Sequence, residues 1–137
     1  GQDDCSEERI LECLKAAGAD FVGDGTTAAL EFAIQDQGSN LSGGQKQAVM
    51  MARALAFKPA LLLFDEPTSA MDGLTEANVI KHLSEHLADR TLVIVTHKMP
   101  VVAMCDRVIV MDQGRIVGDG TKDAYFELLK KQSEKKN

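Results

Sequence analysis

The sequence predicts an α/β fold in which a mostly parallel sheet is flanked by helices and preceded by a helical part. Two apolar runs, residues 61–64 and 92–95, have the length of strands, and the segment between them carries apolar residues at helical spacing. Strand, helix, strand is the unit from which parallel sheets are built. The uninterrupted apolar character of both runs indicates strands that are buried on both faces.

Composition limits the class of protein. The chain has 137 residues, of which 45% are hydrophobic and 26% charged, which is ordinary usage for one globular domain. The net charge of −6 argues against a general nucleic-acid binder. The longest apolar runs, residues 60–64 and 99–105, fall far short of the roughly 20 residues that a membrane-spanning helix needs. The cysteines are odd in number and lack C-x-x-C spacing, so neither a disulfide framework nor a zinc site is expected.

The first part of the chain has helical patterning around a weakly patterned stretch. Ser6, followed by two glutamates, predicts the start of a helix that stops near Gly18. Residues 21–40 show little periodicity, with one short helix expected at 28–34 and a turn at 36–40. A capping box of the S-x-x-Q kind at Ser42 predicts a second helix, which must end before Pro59.

The remaining elements follow in order along the chain. A helix is expected at residues 75–87, between the two apolar runs, and a short one at 99–104. Asp112-Gln113-Gly114 lies between two short apolar segments and predicts a hairpin, after which Thr121 or Asp123 can cap a last helix. The predicted organisation is a helical part at 1–57, an α/β part at 58–129 and a frayed tail at 130–137.

Both apolar runs are followed by residues that can take part in catalysis or metal binding. Asp65 and Glu66 follow the first run and His97 follows the second, and the carboxyl ends of parallel strands share one edge of a sheet. Of two adjacent carboxylates there, one can hold Mg²⁺ and the other can orient or deprotonate a water. The alternatives are that Asp65 and Glu66 only end a strand and that His97 is structural.

Three other groups of residues allow two interpretations each. Ser42-Gly43-Gly44-Gln45 at a helix start can bind a phosphate through backbone N–H groups, or can be an ordinary helix cap. His82 and His86 stand four residues apart and could share a metal, but they lack an obvious third ligand on what is expected to be a surface helix. Three methionines are expected to pack in the core or at an interface: Met50, Met51 and Met71.

The order of these motifs resembles the ATP-binding cassette (ABC) ATPase family. Leu41-Ser42-Gly43-Gly44-Gln45 is similar to the family's signature motif, and residues 61–67 are similar to its Walker B strand. Ser69-Ala70-Met71-Asp72 resembles the D-loop and His97 the switch histidine, while residues 106–111 and 114–117 resemble the closing strands. The resemblance covers essentially the whole chain and implies a partial P-loop NTPase fold, with residues 1–57 as a remnant of the helical subdomain.

The resemblance also implies a role for each motif. In the family, two nucleotide-binding domains pair head to tail around two ATP molecules. Asp65 would then serve Mg²⁺, Glu66 would polarise the attacking water and His97 would hold the γ-phosphate and that water in line. Asp72 would couple the two sites. The γ-phosphate of a partner's ATP would be contacted by Ser42, Gly43, Gly44 and Gln45.

One motif of the family is not found in this sequence. A P-loop has the pattern G-x-x-x-x-G-K-[ST], and none of the 11 glycines here is followed by lysine. We therefore expect the chain to be the C-terminal part of a nucleotide-binding domain, either as a remnant or as one segment of a longer chain. By itself it is expected to be catalytically inactive and to act as an interaction module.

Within the family, the sequence favours an exporter. Lys98 follows His97 where importers commonly have aspartate, and the closing strands with a short last helix are similar to bacterial type I secretion transporters for toxins or adhesins. The expected partners are a second nucleotide-binding domain and transmembrane domains, with no nucleic acid. The expected location is the cytoplasmic face of a membrane, the bacterial inner membrane for type I secretion. The alternatives are an importer ATPase and a soluble, non-transport ABC protein.

Overall fold

The computed structural model describes residues 5–23, 27–87 and 89–134, and the chain forms two compact units, Gly1–Thr96 and His97–Asn137. In the first unit the helices and strands are α1 (Glu7–Ala16), α2 (Gly43–Ala56), β1 (Leu61–Asp65), α3 (Gly73–His86) and β2 (Thr91–Val95). In the second unit they are α4 (Met99–Met104), β3 (Arg107–Asp112), β4 (Arg115–Thr121) and α5 (Lys122–Glu134). Within the described ranges, no helix is both long enough and apolar enough to cross a membrane.

The first helix has the predicted ends. The Ser6 hydroxyl accepts a hydrogen bond from the N–H of Arg9 at 3.2 Å, and this N-cap bond starts α1. The chain leaves the helix through Gly18, which has a φ of +71°. A Cβ atom there would lie 2.9 Å from Cγ2 of Val79, so both the backbone conformation and the lack of space require glycine.

The stretch between α1 and α2 is folded differently from the prediction. Its described residues, 17–23 and 27–42, include three short 3₁₀ helices, Asp20–Val22, Thr27–Glu31 and Asp36–Gly38. The expectation of one helix over 28–34 is therefore wrong beyond residue 31. The Asn40 side chain accepts from the N–H of Gln35 and donates to the carbonyl of Ala33, both at 3.0 Å. These side-chain bonds compete with helical hydrogen bonds and produce the predicted turn at 36–40.

The strand–helix–strand prediction is confirmed. Strands β1 and β2 pair in parallel, with Leu61 opposite Thr91 and Asp65 opposite Val95, and α3 connects them. The two carboxyl ends therefore meet at one edge of the sheet. This edge carries Asp65 and Glu66.

The expectation that these strands are buried on both faces is wrong for this chain. Along β1 the side chains alternate, with Leu62 and Phe64 buried but Leu63 71% exposed. In β2, Val93 is 45% exposed and Val95 56% exposed. One face of the sheet packs within the unit, while the described residues leave the other face open.

The core of the first unit forms around α1, α2 and the segment between them. Ala19, Val22, Ala29 and Ala48 make one buried cluster, against which Leu11, Leu14, Phe21 and Met71 pack. Met51 is also buried, which confirms core packing for this residue and for Met71, whereas Met50 is 71% exposed and is not a core residue.

The second unit contains the predicted hairpin. Strands β3 and β4 are antiparallel, and the turn between them has positive φ at both Gln113 and Gly114. Such a turn matches the twist of a two-stranded ribbon. The guanidinium of Arg107 donates two hydrogen bonds to the Asp119 carboxylate across the pair, at 2.8 and 2.6 Å.

The last helix is longer than predicted. Of the two possible caps, the Thr121 hydroxyl is the one that accepts, from the N–H of Ala124 at 3.3 Å. Helix α5 continues to Glu134, past residue 130, where the tail was expected to begin. Residues 135–137 lie outside the described part of the chain. The division into 1–57 and 58–129 stays a prediction.

Candidate functional site

The N-terminus of α2 has the capping geometry predicted from the sequence. The Ser42 hydroxyl accepts from the N–H of Gln45 at 3.3 Å, and the Gln45 side chain accepts from the N–H of Ser42 at 2.8 Å. The first helical hydrogen bond is donated by Lys46 to the Ser42 carbonyl. The N–H groups of Gly43 and Gly44 come before it and have no carbonyl of the helix to bind, so this end can accept an anion.

Gly44 is packed closely against a second segment of the same chain. A Cβ atom at this position would lie 2.6 Å from the carbonyl oxygen of Ala70, and one at Gly43 would lie 3.4 Å from the Cβ of Ala70. The sequence indicated that glycine leaves room for a phosphate. The structure adds that Gly44 also leaves room for the backbone of Ala70.

The two carboxylates after β1 have different surroundings. Asp65 ends the strand with an exposed side chain. Glu66 has a φ of +45°, and its N–H donates to the carbonyl of Val95 at 2.8 Å. Its carboxylate accepts a long hydrogen bond, 3.4 Å, from the Thr96 hydroxyl.

The backbone of Glu66 is strained. A left-handed conformation costs a residue other than glycine roughly 1–3 kcal/mol. Pro67 adds to this cost, because a proline disfavours helical conformations in the residue before it. Such strain persists only where surrounding contacts hold it, and residues of this kind cluster at functional sites.

The segment after Glu66 is a tight, anchored turn. The N–H of Ser69 donates to the Glu66 carbonyl and that of Met71 to the Thr68 carbonyl, both at 3.1 Å. Thr68 is 2% exposed, and its hydroxyl donates to the Glu76 carboxylate of α3 at 2.5 Å. This turn therefore connects the end of β1 firmly to the start of α3.

Sequence reasoning missed one residue of this site, Gln47. Its side-chain nitrogen donates to the Glu66 carbonyl at 3.2 Å and to the Ser69 hydroxyl at 2.7 Å, and its oxygen accepts from the Ala70 N–H at 3.0 Å. The available signal was its position one helical turn after Gly43, on the same face of a predicted helix. That signal could not show which loop lies opposite.

Asp72 is the N-cap of α3. One carboxylate oxygen accepts from the N–H groups of Leu74 and Thr75 at 3.0 Å, and the other accepts from the Thr75 hydroxyl at 2.8 Å. These bonds, chiefly the one from the Thr75 N–H, hold the pKa of Asp72 below its usual value. The structure thus gives Asp72 a local role, and its predicted coupling of two sites stays a prediction.

The lowered pKa predicts how this cap depends on pH. Because the folded carboxyl has a lower pKa than the unfolded one, its stabilisation is present above the usual aspartate pKa of about 3.9 and is lost as the pH falls through the folded value. We expect Asp72→Ala to lower the melting temperature at pH 7 and to have less effect at pH 3. Circular dichroism at both pH values measures this, with Asp89→Ala as control, and an effect independent of pH would contradict the assignment.

The three histidines singled out in the sequence add little to the geometry of this site. His97 is the first residue of the second unit and is exposed, and its role in holding the γ-phosphate and the attacking water stays a prediction. A ring nitrogen of His82 lies 2.8 Å from the Asn78 carbonyl on its own helix, and the His86 side chain lies outside what the structure describes. Among the described residues, no group of three or more His, Cys, Asp or Glu side chains could hold a metal ion.

The start of α2 and the start of α3 border one groove. It has a volume of about 320 Å³, and its lining includes Ser42, Gly44 and Gln45 on one side and Asp72 and Thr75 on the other. The predicted signature motif and the predicted D-loop aspartate are therefore neighbours within a single unit. The predicted carboxylates are joined to both through the turn at residues 66–71.

Comparison with known proteins agrees with the motif order. Residues 6–69 match the family model described as ABC transporter. A multidrug efflux ATP-binding/permease protein of Mycobacterium bovis is 38% identical over 127 residues, which are 93% of this chain and 11% of that protein. An ATP-dependent lipid A-core flippase of Neisseria gonorrhoeae is 39% identical, with 96% of this chain and 22% of that protein covered.

Two further similarities cover most of the chain. A leukotoxin translocation ATP-binding protein from a Pasteurella haemolytica-like species is 39% identical, covering 89% of this chain and 17% of that protein. A solved structure of a bacterial Atm1-family ABC exporter with ATP bound has a TM-score of 0.78 and 31% identity over 92% of this chain and 22% of that one. The chain thus spans between 11% and 22% of the length of these proteins. It has the predicted α/β fold and belongs to the ABC transporter family.

Proposed function

We propose that this chain supplies the signature motif, the Walker B carboxylates and the D-loop of the ATP-hydrolysing domain of an ABC exporter. The supporting observation is that the N-terminus of α2, the end of β1 and the start of α3 form one hydrogen-bonded group through Gln47 and the turn at 66–71. The relatives described above are named for efflux, flipping and toxin translocation, which favours export over import.

The residues fit ATP and Mg²⁺ in their chemistry. The free N–H groups of Gly43 and Gly44 and the N-terminal dipole of α2 favour an anion, so the signature residues Ser42 to Gln45 would contact the γ-phosphate of a partner's ATP. Asp65 offers an exposed carboxylate, the type of ligand that Mg²⁺ prefers. When bound, Mg²⁺ neutralises charge on the phosphates.

The proposed catalytic roles rest on the resemblance to the family and, for Glu66, on its position at the end of β1. Glu66 would act as the general base that orients and polarises the attacking water, held by the backbone contacts described above. His97 would hold the γ-phosphate and that water in line, and Asp72 would link the two sites of a dimer. Phosphoryl transfer needs such positioning and charge compensation more than covalent chemistry.

The proposal includes the partners of the complete protein. A second nucleotide-binding domain would supply the P-loop opposite this signature motif, and transmembrane domains would carry the cargo. The ATPase part would lie at the cytoplasmic face of a membrane, and at the bacterial inner membrane if the protein is a type I secretion transporter. The test is cargo efflux from vesicles holding the complete protein, which should require hydrolysable ATP and cease with Glu66→Gln; efflux independent of ATP would contradict the proposal.

The 137-residue chain alone is expected to bind Mg-ATP more weakly than micromolar and to show no ATPase activity above background. A phosphate contact at an exposed helix N-terminus contributes about 0.3–1 kcal/mol, whereas micromolar binding requires about 8 kcal/mol. Isothermal titration calorimetry with Mg-ATP measures this, with a cooperative thermal transition as the control for folding. A micromolar isotherm with a stoichiometry near one would show that the assignment of the motifs is wrong.

A further inference from the structure

Gln47 binds three groups of the turn that follows the proposed catalytic base. Its carboxamide nitrogen donates to the Glu66 carbonyl and the Ser69 hydroxyl, and its oxygen accepts from the Ala70 N–H. The side chain is half-buried, so these bonds are partly shielded from water. A carboxamide is the side-chain group that offers two donors and an acceptor at one end without a charge.

The bond to Glu66 acts on a strained backbone. Glu66 has a φ of +45° directly before Pro67, a conformation that the surroundings must hold. Its N–H is held by the Val95 carbonyl of β2, and its carbonyl accepts from the Ser69 N–H and from Gln47. Gln47 is the residue of α2 that contributes to these bonds, and its bond restrains the peptide that follows Glu66.

We propose that Gln47 is a positioning residue for hydrolysis, which aims the Glu66 carboxylate by holding the Glu66 peptide in its left-handed conformation. The proposal rests on the proposed function, in which Glu66 orients the attacking water. It also gives α2 a second role. The helix whose first turn would face a partner's phosphate binds, one turn later, the backbone carbonyl of the proposed catalytic glutamate of its own domain.

The test uses the complete protein and the variant Gln47→Leu, which keeps the size of the side chain and removes all three bonds. We expect kcat for ATP hydrolysis to fall about 10²-fold, the effect of a misplacement of about 1 Å, while KM for ATP changes by less than about twofold. The matched control is Met50→Leu on the same helix, where the side chain is 71% exposed and lies outside the site. It should leave kcat unchanged.

A double-mutant comparison separates positioning from a general loss of structure. If Gln47 acts through Glu66, adding Gln47→Leu to Glu66→Gln should reduce the remaining turnover by less than about twofold. The proposal would be overturned if the double variant showed the product of the two single losses in kcat, or if Gln47→Leu alone had a normal kcat. Normal turnover of Glu66→Gln alone would instead overturn the catalytic role of Glu66, so the two failures are distinguishable.

A second variant covers the case in which Gln47→Leu does not fold. Gln47→Glu keeps an acceptor for the Ala70 N–H and, when ionised, loses both donated bonds. It is expected to show the same fall in kcat with unchanged KM and the same lack of a further effect in the Glu66→Gln background. A kcat close to that of the unchanged protein would overturn the role assigned to the bond between Gln47 and Glu66.

Discussion

The variant Glu66→Gln of the complete protein is expected to bind Mg-ATP normally and to hydrolyse it roughly 10²- to 10⁴-fold more slowly, the usual contribution of a positioned general base. Glutamine has nearly the same shape as glutamate, so the left-handed turn and its contacts to Val95 and Gln47 should persist. The amide can still donate and accept hydrogen bonds, but it cannot take a proton from water. Steady-state phosphate release, together with equilibrium nucleotide binding, measures the two effects separately.

The control for this experiment makes the same chemical change elsewhere. Glu85→Gln removes one negative charge from an exposed position of α3 and should leave turnover unchanged. If Glu66→Gln retained near-normal turnover beside this control, Glu66 would have no role as the base. The simpler alternative, a carboxylate that only ends a strand, would then be preferred.

Ser42→Arg is expected to abolish ATP-driven pairing of two domains while leaving the nucleotide affinity of the domain's own P-loop unchanged. Ser42 is exposed at the N-terminus of α2, so an arginine there would occupy the space that a partner's phosphate needs. The defect should therefore appear in trans, on the nucleotide of the other domain. Light scattering of the complete ATPase domain with ATP, in the Glu66→Gln background that keeps ATP intact, measures pairing.

Two comparisons separate this steric effect from loss of the helix cap. Ser42→Ala removes the bond from the Gln45 N–H without adding bulk, at a cost of about 0.5–2 kcal/mol, and should weaken pairing less than arginine does. Gly44→Asp is a poorer probe, since its Cβ would lie 2.6 Å from the Ala70 carbonyl oxygen and would disturb the turn within the same domain. Normal pairing of Ser42→Arg would favour an ordinary helix cap over a phosphate contact.

Local features of the sequence predicted those parts of the fold that short-range chemistry controls. The capping box at Ser42, the N-cap at Ser6 and the turn at Gln113 and Gly114 each depend on residues within four positions of one another. The parallel pairing of β1 and β2 followed from two apolar runs separated by a helix. The order of the motifs along the chain was sufficient to identify the family.

Prediction from the sequence failed where two segments that are distant along the chain come into contact. The contact between Gly44 and Ala70 and the three bonds of Gln47 join residues that are at least 19 positions apart along the chain. No local pattern specifies which loop lies opposite a helix face. The same holds for Glu66, whose left-handed φ before Pro67 contradicts local preference and is held by contacts from β2 and α2.

The exposure of the sheet was also decided by tertiary structure. The runs at 61–64 and 92–95 have the composition of strands covered on both sides, yet Leu63 and Val95 are more than half exposed in the described structure. Composition indicates which side chains are stabilised by leaving water. Burial also requires a second layer of the structure that packs on them. The sequence by itself therefore determined the elements, their order and the chemistry at the strand ends, and the packing of distant segments decided which faces are covered and how Glu66 is aimed.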